Sequence, residues 1–403
     1  MDLKSGYPYW AVKNGLIQAF PQLDADLSCD VVVIGGGITG ALIAHELTAH
    51  GHAVAVVEQR DIGWGSTAAS TALLQYEIDT HMVDLAKQYG EEQAALAYLA
   101  CAEAIPMLQT LARKVGDVDF ARMQSLYYAS RRRDVGTMRD EFDMRQRHGF
   151  EMEWLEPDGV KERFGIAAPA AILSTLAARI DPYRMAYRLL AGVAKRGGGV
   201  YDRTCIDTLE TTSRRVHLRT ASGFGIRAGH VVFAAGYANQ QWLRKRVAKN
   251  RSSYAFITDP IDPEVLGRLR DTMMWESARP YLYLRSTGDG RLLVGGEDDA
   301  IDVPSRRDRR VEKKARTLVR KVGKLFPELP LQPAFSWAGT FAETEDGLPF
   351  FGPHAQHGPR VHFAMAYGGN GITYSMIGAG LLRALIERRK HPLSALFSFQ
   401  RMD

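Results

Sequence analysis

The stretch from Asp30 to Gly40, "DVVVIGGGITG", constrains the fold more than any other part of the chain. An apolar run that reads as a buried strand ends in glycines, and a helical pattern over 38–50 follows. Gly51 stands where that helix should stop, and "AVAVV" (53–57) reads as a second strand. This is a βαβ unit with Gly35, Gly37 and Gly40 at G-x-G-x-x-G spacing. Gly35 permits the tight turn, Gly37 lets the backbone approach a pyrophosphate, and Gly40 lets helix and strand pack closely. Ile38 opens the helix, whose first N–H groups face an anion. Glu58, with Gln59 beside it, ends the second strand, where a carboxylate meets ribose hydroxyls. The reading is a dinucleotide site; these residues alone leave NAD and FAD both open. "ASGFGIRAG" (221–229) has a similar glycine pattern but reads as a hairpin turn.

The rest of the chain bounds the alternatives. At 403 residues, one hydrophobic core is too small, so two domains are expected. The three cysteines, Cys29, Cys101 and Cys205, are far apart and read as reduced and mostly packed. The histidines show no metal-ligand spacing, so no metal is expected. The N-terminus has no secretory pattern, no 18-residue apolar window is apparent, and a cytoplasmic protein without a membrane span is the expectation. Much of the net charge of +5 lies in "SRRDRRVEKKARTLVRKVGKLF" (305–326), where the apolar residues share one helical face. No aromatics interleave with its charges, so it reads as a solvated helix and not a nucleic-acid surface.

Further along, 91–115 reads as an Ala/Leu-rich helix containing Pro106, and "DPYRMAYRLLAGVAKRGG" as a helix with Pro182 in its first turn. Strands follow on both sides of a "TGDG" turn (287–290). A second glycine-rich strand-to-helix turn, "AYGGNGITYS", lies near the end. Glycine turns at both ends predict an α/β (α+β two-domain) fold: a Rossmann-like nucleotide domain built from discontinuous segments, with an inserted β-rich domain. The expected boundaries are 1–80, 165–240 and 340–403 for the first, and 81–164 and 241–339 for the second.

Read together, "DVVVIGGGITGALIAHELTAHGHAVAVVEQRDIGWGSTAAST", "IDPYRMAYRLLAGVAKRGGGVYDRTCIDTLE", "HVVFAAGYAN", "RLLVGGEDD", "WAGTFAETEDGLPFFGP" and "FAMAYGGNGITYSMIGAGLLRALI" resemble one family over nearly the whole chain. It is that of the FAD-dependent oxidoreductases of the D-amino-acid oxidase, glycine oxidase and sarcosine oxidase group. The resemblance implies FAD, with Ser66 and Thr67 on the loop reaching the pyrophosphate and flavin side. It places the Ile206 backbone at adenine, Ala235 and Gly236 beside the nucleotide, and Asn370, Gly371, Ile372 and Thr373 at the flavin pyrimidine edge. A helix beginning near Ile372 would present N–H donors to charge on a reduced flavin.

The same resemblance implies oxidation of an amine by hydride transfer to flavin N5, with oxygen or another acceptor taking the electrons. It also locates departures. Phe341 and Gly369 stand where arginines hold the substrate carboxylate in relatives, and Leu293 where sarcosine oxidase-like members carry a lysine. No cysteine stands near Gly339, where such members attach flavin, so non-covalent FAD is expected. Tyr281, Trp337 and Tyr367 are the candidates for the substrate pocket, with Tyr283 and Phe341 beside them. Tyr76, Glu77 and Asp79 are candidates for a cationic amine. Arg285 is the one arginine on a plausible wall, or else a solvated strand-end charge. His81 is the histidine nearest the flavin loop that could serve an alcohol or hydroxy-acid dehydrogenase instead. A flavin-binding protein without catalysis is the remaining alternative.

Overall fold

Residues 3–301, 303–365 and 367–402 are described by the computed structural model, built on one sheet of eight strands and one of ten. In the smaller sheet, Leu27–Ile34 pairs in parallel with Val54–Val57 on one side and Gly225–Phe233 on the other. Gly199–Tyr201 and Val361–Met365 extend this parallel core outward. Val31, Val32, Val33 and Val54 to Val57 are all buried, because the sheet is covered on both faces. Helices Ile38–Ala49, Pro182–Lys195 and Gly371–Ile386 pack one face; the hairpin Ile206–Thr211 and Val216–Thr220 adds to the core on the other.

The larger sheet is mostly antiparallel, in the order Lys4–Gly6, Pro333–Glu343, Lys249–Pro260, Arg291–Asp299, Leu282–Ser286, Thr272–Glu276, Ala121–Tyr128, Ala171–Arg179, Leu73–Gln75. Its strands alternate between two buried faces. Tyr254, Phe256, Val294 and Ala338 pack under the basic helix Val311–Leu325, through Val311, Ala315, Leu318 and Val322. Ala255, Ile257, Leu293 and Trp337 face the nucleotide half. The apolar stripe of the basic helix is therefore covered by this sheet.

The chain crosses between the sheets more often than the expected ranges allow. Lys4–Gly6 and Leu73–Gln75 fall in 1–80, and Ala171–Arg179 in 165–240, yet all three strands belong to the larger sheet. Ala171–Arg179 shows no polar alternation because Ala171 to Ser174 are buried on both faces, so periodicity could not mark it. Helix Glu91–Val115 lies in 81–164 but packs with Pro182–Lys195 and Gly371–Ile386 in the nucleotide core. By length and composition it is apolar enough to cross a membrane, contrary to expectation. Its inner face, including Ala94, Tyr98, Cys101, Ile105 and Leu108, is core, and Pro106 points outward.

Candidate active site

One continuous cleft runs between the two sheets. Its walls include Gly35, Gly37, Ile38, Glu58, Gln59, Ser66, Thr67, Ile206, Ala235, Gly236, Asn370, Gly371 and Ile372, together with Tyr281, Trp337 and Tyr367. Two of the residues expected to bind the cofactor lie outside it. Gly40 sits in the helix, where a Cβ would collide with the Gly35 carbonyl, so its service is close packing. Thr373 is buried, and its hydroxyl donates to the Gln75 carbonyl at 3.4 Å. The helix turn, not the threonine, reaches the cleft.

At the nucleotide end the walls are backbone. Gly35 has φ +117°, and a Cβ there would strike the Ala234 carbonyl. Gly37 is extended, and its Cβ would sit 2.9 Å from the Thr67 hydroxyl. That hydroxyl accepts the Ile38 N–H at 2.9 Å, which leaves its own proton for an anion in the cleft. Gly36 is also required: a Cβ there would press on Ile62 and on Glu58. The Glu58 carboxyl accepts the N–H groups of Gly36 at 2.8 Å and Arg60 at 2.9 Å. Burial pushes its pKa up, and those two N–H donors oppose the shift. Asn239, which sequence reasoning passed over, holds the Ala235 turn. Its amide donates to the Phe233 and Ala364 carbonyls at 3.0 and 2.9 Å and accepts the Ala235 N–H at 3.1 Å. Cys205 is exposed on this wall and not packed; Cys101 is buried and Cys29 half-buried.

Midway, helix Gly371–Ile386 starts at the cleft with no side-chain cap. Asn370 is turned away, its amide donating to the Glu77 and Gln75 carbonyls at 2.8 and 3.3 Å. The first-turn N–H groups are thus presented to the cleft, where they suit an electron-rich ring edge. The indole of Trp337 donates to the Ala69 carbonyl at 2.9 Å, so it offers only ring surface. Tyr367 packs beside this turn against Phe351 and Tyr237.

The far end is aromatic and acidic. Trp275, Tyr281, Tyr283 and Phe341 line it with Asp79, Asp298 and Glu343. Trp275 is sandwiched edge-on by Tyr281 at 6.3 Å and stacked by Tyr127 at 3.8 Å between ring centres. Of the amine candidates on 76–79, only Asp79 reaches the cleft. Tyr76 stacks on Phe150 at 4.9 Å, and Glu77 is buried beside Arg145, with burial raising its carboxyl. His81 bonds the Tyr127 hydroxyl at 3.0 Å and does not line the cleft. Arg285 is neither solvated nor on the wall. It is fully buried and donates to the carbonyls of Thr71, Ser286 and Ile180 at 2.8, 2.9 and 3.3 Å. Gly369 donates its N–H to Asp79 at 2.7 Å, so a carboxylate occupies the space beside it. Trp275, Asp298 and Glu343 were not singled out from sequence, since nothing local marks a strand-end side chain as cleft-facing.

A family profile described as FAD dependent oxidoreductase matches residues 30–385. The chain belongs to this family of FAD-dependent oxidoreductases. The gamma-glutamylputrescine oxidoreductase of Escherichia coli (strain K12) is 25% identical, over 94% of this chain and 88% of that protein. The glycine oxidase of Geobacillus kaustophilus (strain HTA426) is 25% identical, over 90% and 93% of the two chains. The L-proline dehydrogenase structure from P. horikoshii superposes with a TM-score of 0.79 at 20% identity, over 94% of this chain and 99% of that one. The family fits the site: a glycine cradle that a Cβ would fill and two helix N-termini suit an FAD stretched along the cleft.

Proposed function

We propose that the chain holds FAD non-covalently along Gly35–Ile38, Glu58, Ile206, Ala235 and the Asn370–Ile372 turn, and oxidises an amine at its C–N bond. The observation that carries the reading is the far wall: aromatic rings with Asp79, Asp298 and Glu343, and Phe341 and Gly369 in place of cations. Bound there, FAD supplies the two-electron acceptor, so that loss of a hydride and a proton leaves an imine for water to hydrolyse. The chain's own part is to bind and orient. Carboxylates draw an ammonium in, and ring faces hold it and displace water. An α-carboxylate would have to leave water with no paired cation on these walls, which costs several kcal/mol. Oxygen or another acceptor then takes the electrons.

An alcohol or hydroxy-acid substrate is less well served. It needs a base near the carbon, and no histidine stands among the described lining residues. Anaerobic flavin bleaching tests the reading, using simple amines, their α-carboxylated analogues and hydroxy acids. Amines are expected to bleach the flavin faster than either. Faster bleaching by hydroxy acids would replace this reading, and no bleaching by any class would leave a flavin-binding protein without catalysis. Acid precipitation is expected to release the flavin into the supernatant.

A further inference from the structure

Asp298 lies at the end of strand Arg291–Asp299, where pairing with Lys249–Pro260 shifts register between Ser252 and Tyr254. Its side chain lines the cleft, and its Oδ1 is buried with no hydrogen-bond partner among the described residues. The other two carboxylates of this end are already engaged. Glu343 is bonded by Arg251 and lies 3.9 Å from Arg279. Asp79 accepts the Gly369 N–H at 2.7 Å. Arg279 donates to the Asp79 carbonyl at 3.2 Å and lies over the Tyr281 ring at 4.2 Å. The Ser253 hydroxyl shares a 3.0 Å bond with the Tyr283 hydroxyl. Burial is the largest influence on the Asp298 carboxyl and raises its pKa to about 7. Ser253 and Arg279 oppose that shift, while Asp79 and Glu343 reinforce it. A half-buried acid whose Oδ1 is buried and unused, among ring faces, lacks a cation.

The geometry points to Asp298 as a specificity-determining residue that takes a second, distal ammonium of the substrate, making the preferred substrate a diamine or amine-tailed chain. The inference rests on the amine-oxidation reading above. Position argues for the distal group. The reacting carbon belongs beside Gly339, Thr340 and the Asn370–Ile372 turn, which line the cleft on the helix side. Strand Arg291–Asp299 is two strands away from Pro333–Glu343 in the sheet. At about 4.8 Å per strand spacing, the two lie roughly 10 Å apart. One small amine cannot occupy both places, whereas an aliphatic chain with an ammonium at each end can, its methylenes lying against Tyr281 and Tyr283.

The test uses holoenzyme with three chains of equal length: 1,6-diaminohexane, 1-aminohexane and 6-aminohexanoate. The diamine is expected to bleach the flavin with a kcat/KM at least tenfold above the monoamine, mainly through KM. Asp298→Asn is expected to remove most of that preference. A second readout needs no turnover: 2,7-dimethyl-2,7-octanediamine keeps the same six-carbon spacing between its nitrogens, has no hydrogen on its amine-bearing carbons and cannot be oxidised. It is expected to perturb the flavin absorption of the parent, more tightly as pH rises through 7, and to bind Asp298→Asn at least tenfold more weakly. Equal use of diamine and monoamine, with amines still bleaching the flavin, would overturn the site and spare the amine reading. Binding of the inert diamine through Asp298 without bleaching by any amine would spare the site and sink the amine reading. Preference for 6-aminohexanoate, lost on Arg279→Gln, would overturn the inference in favour of a carboxylate-tailed substrate.

Discussion

The two ends of the cleft are built from different materials. The nucleotide end is mostly backbone: glycine turns, helix N-termini and one carboxylate, each carried by its own short stretch of sequence. The far end is side chains delivered by strands and a loop remote in sequence, so that Asp79, Trp275, Asp298 and Glu343 meet only in the folded chain. A backbone site recognises groups common to a whole family of ligands, and its residues cannot drift without steric collision. A side-chain site can be re-lined without disturbing the strands beneath it, and here it carries three carboxylates.

The sharpest break in that comparison should come from Gly37→Val. The backbone there is extended and tolerates a side chain, but the added carbons meet the Thr67 hydroxyl and enter the cleft. The variant is expected to keep its far-ultraviolet circular dichroism and purify with less than about a tenth of the parent's flavin, as backbone–phosphate approach is blocked. Full flavin content would mean that the nucleotide end is not where the cofactor lies.

Arg285→Ala should be next in size. It leaves three backbone carbonyls without their donor and a space beside Trp10, whose ring lies 5.4 Å from the guanidinium. Loss of about 3 kcal/mol of stability is expected from a buried arginine with all three of its nitrogens bonded, measured by chemical denaturation. The ranking of amine substrates should stay the same. A changed ranking with unchanged stability would put Arg285 back on the substrate wall.

The smallest expected effect sharpens the far end. The Asp298 carboxyl keeps its proton in the folded chain up to about 7. In the unfolded chain an aspartate loses it near pH 4. Folding therefore binds a proton in between, and stability contributed by this group falls as pH rises from about 4 through about 7. Asp298→Asn removes that penalty. It should be more stable than the parent above pH 7, by about 1 kcal/mol or more, and equal to it near pH 4. Equal melting temperatures at pH 8 would show that the carboxyl is not held in a desolvated place.

The sequence by itself determined the nucleotide half. Gly35, Gly37, Gly40 and Glu58 lie in one short βαβ unit whose glycine spacing and strand and helix patterns can be read in order, although the contacts that constrain Gly35 and Gly37 come from Ala234 and Thr67. Asn370, Gly371 and Ile372 were legible through resemblance, although Thr373 was assigned a contact its buried bond to Gln75 precludes. Gly36 and Asn239 escaped notice because their partners, Ile62 and Ala364, are reached only through packing. Tyr281, Tyr283, Phe341 and Asp79 were candidates already in the sequence, whereas tertiary structure alone added Trp275, Asp298 and Glu343 to the far pocket and decided the crossings between sheets. Strands Leu73–Gln75 and Ala171–Arg179 join the larger sheet by pairing that no local periodicity records. Arg285 became a buried pin and Asp298 a cleft-facing acid for the same reason. Which side of a strand end faces solvent, core or cleft depends on what the rest of the chain lays over it, and that neighbour is distant in sequence.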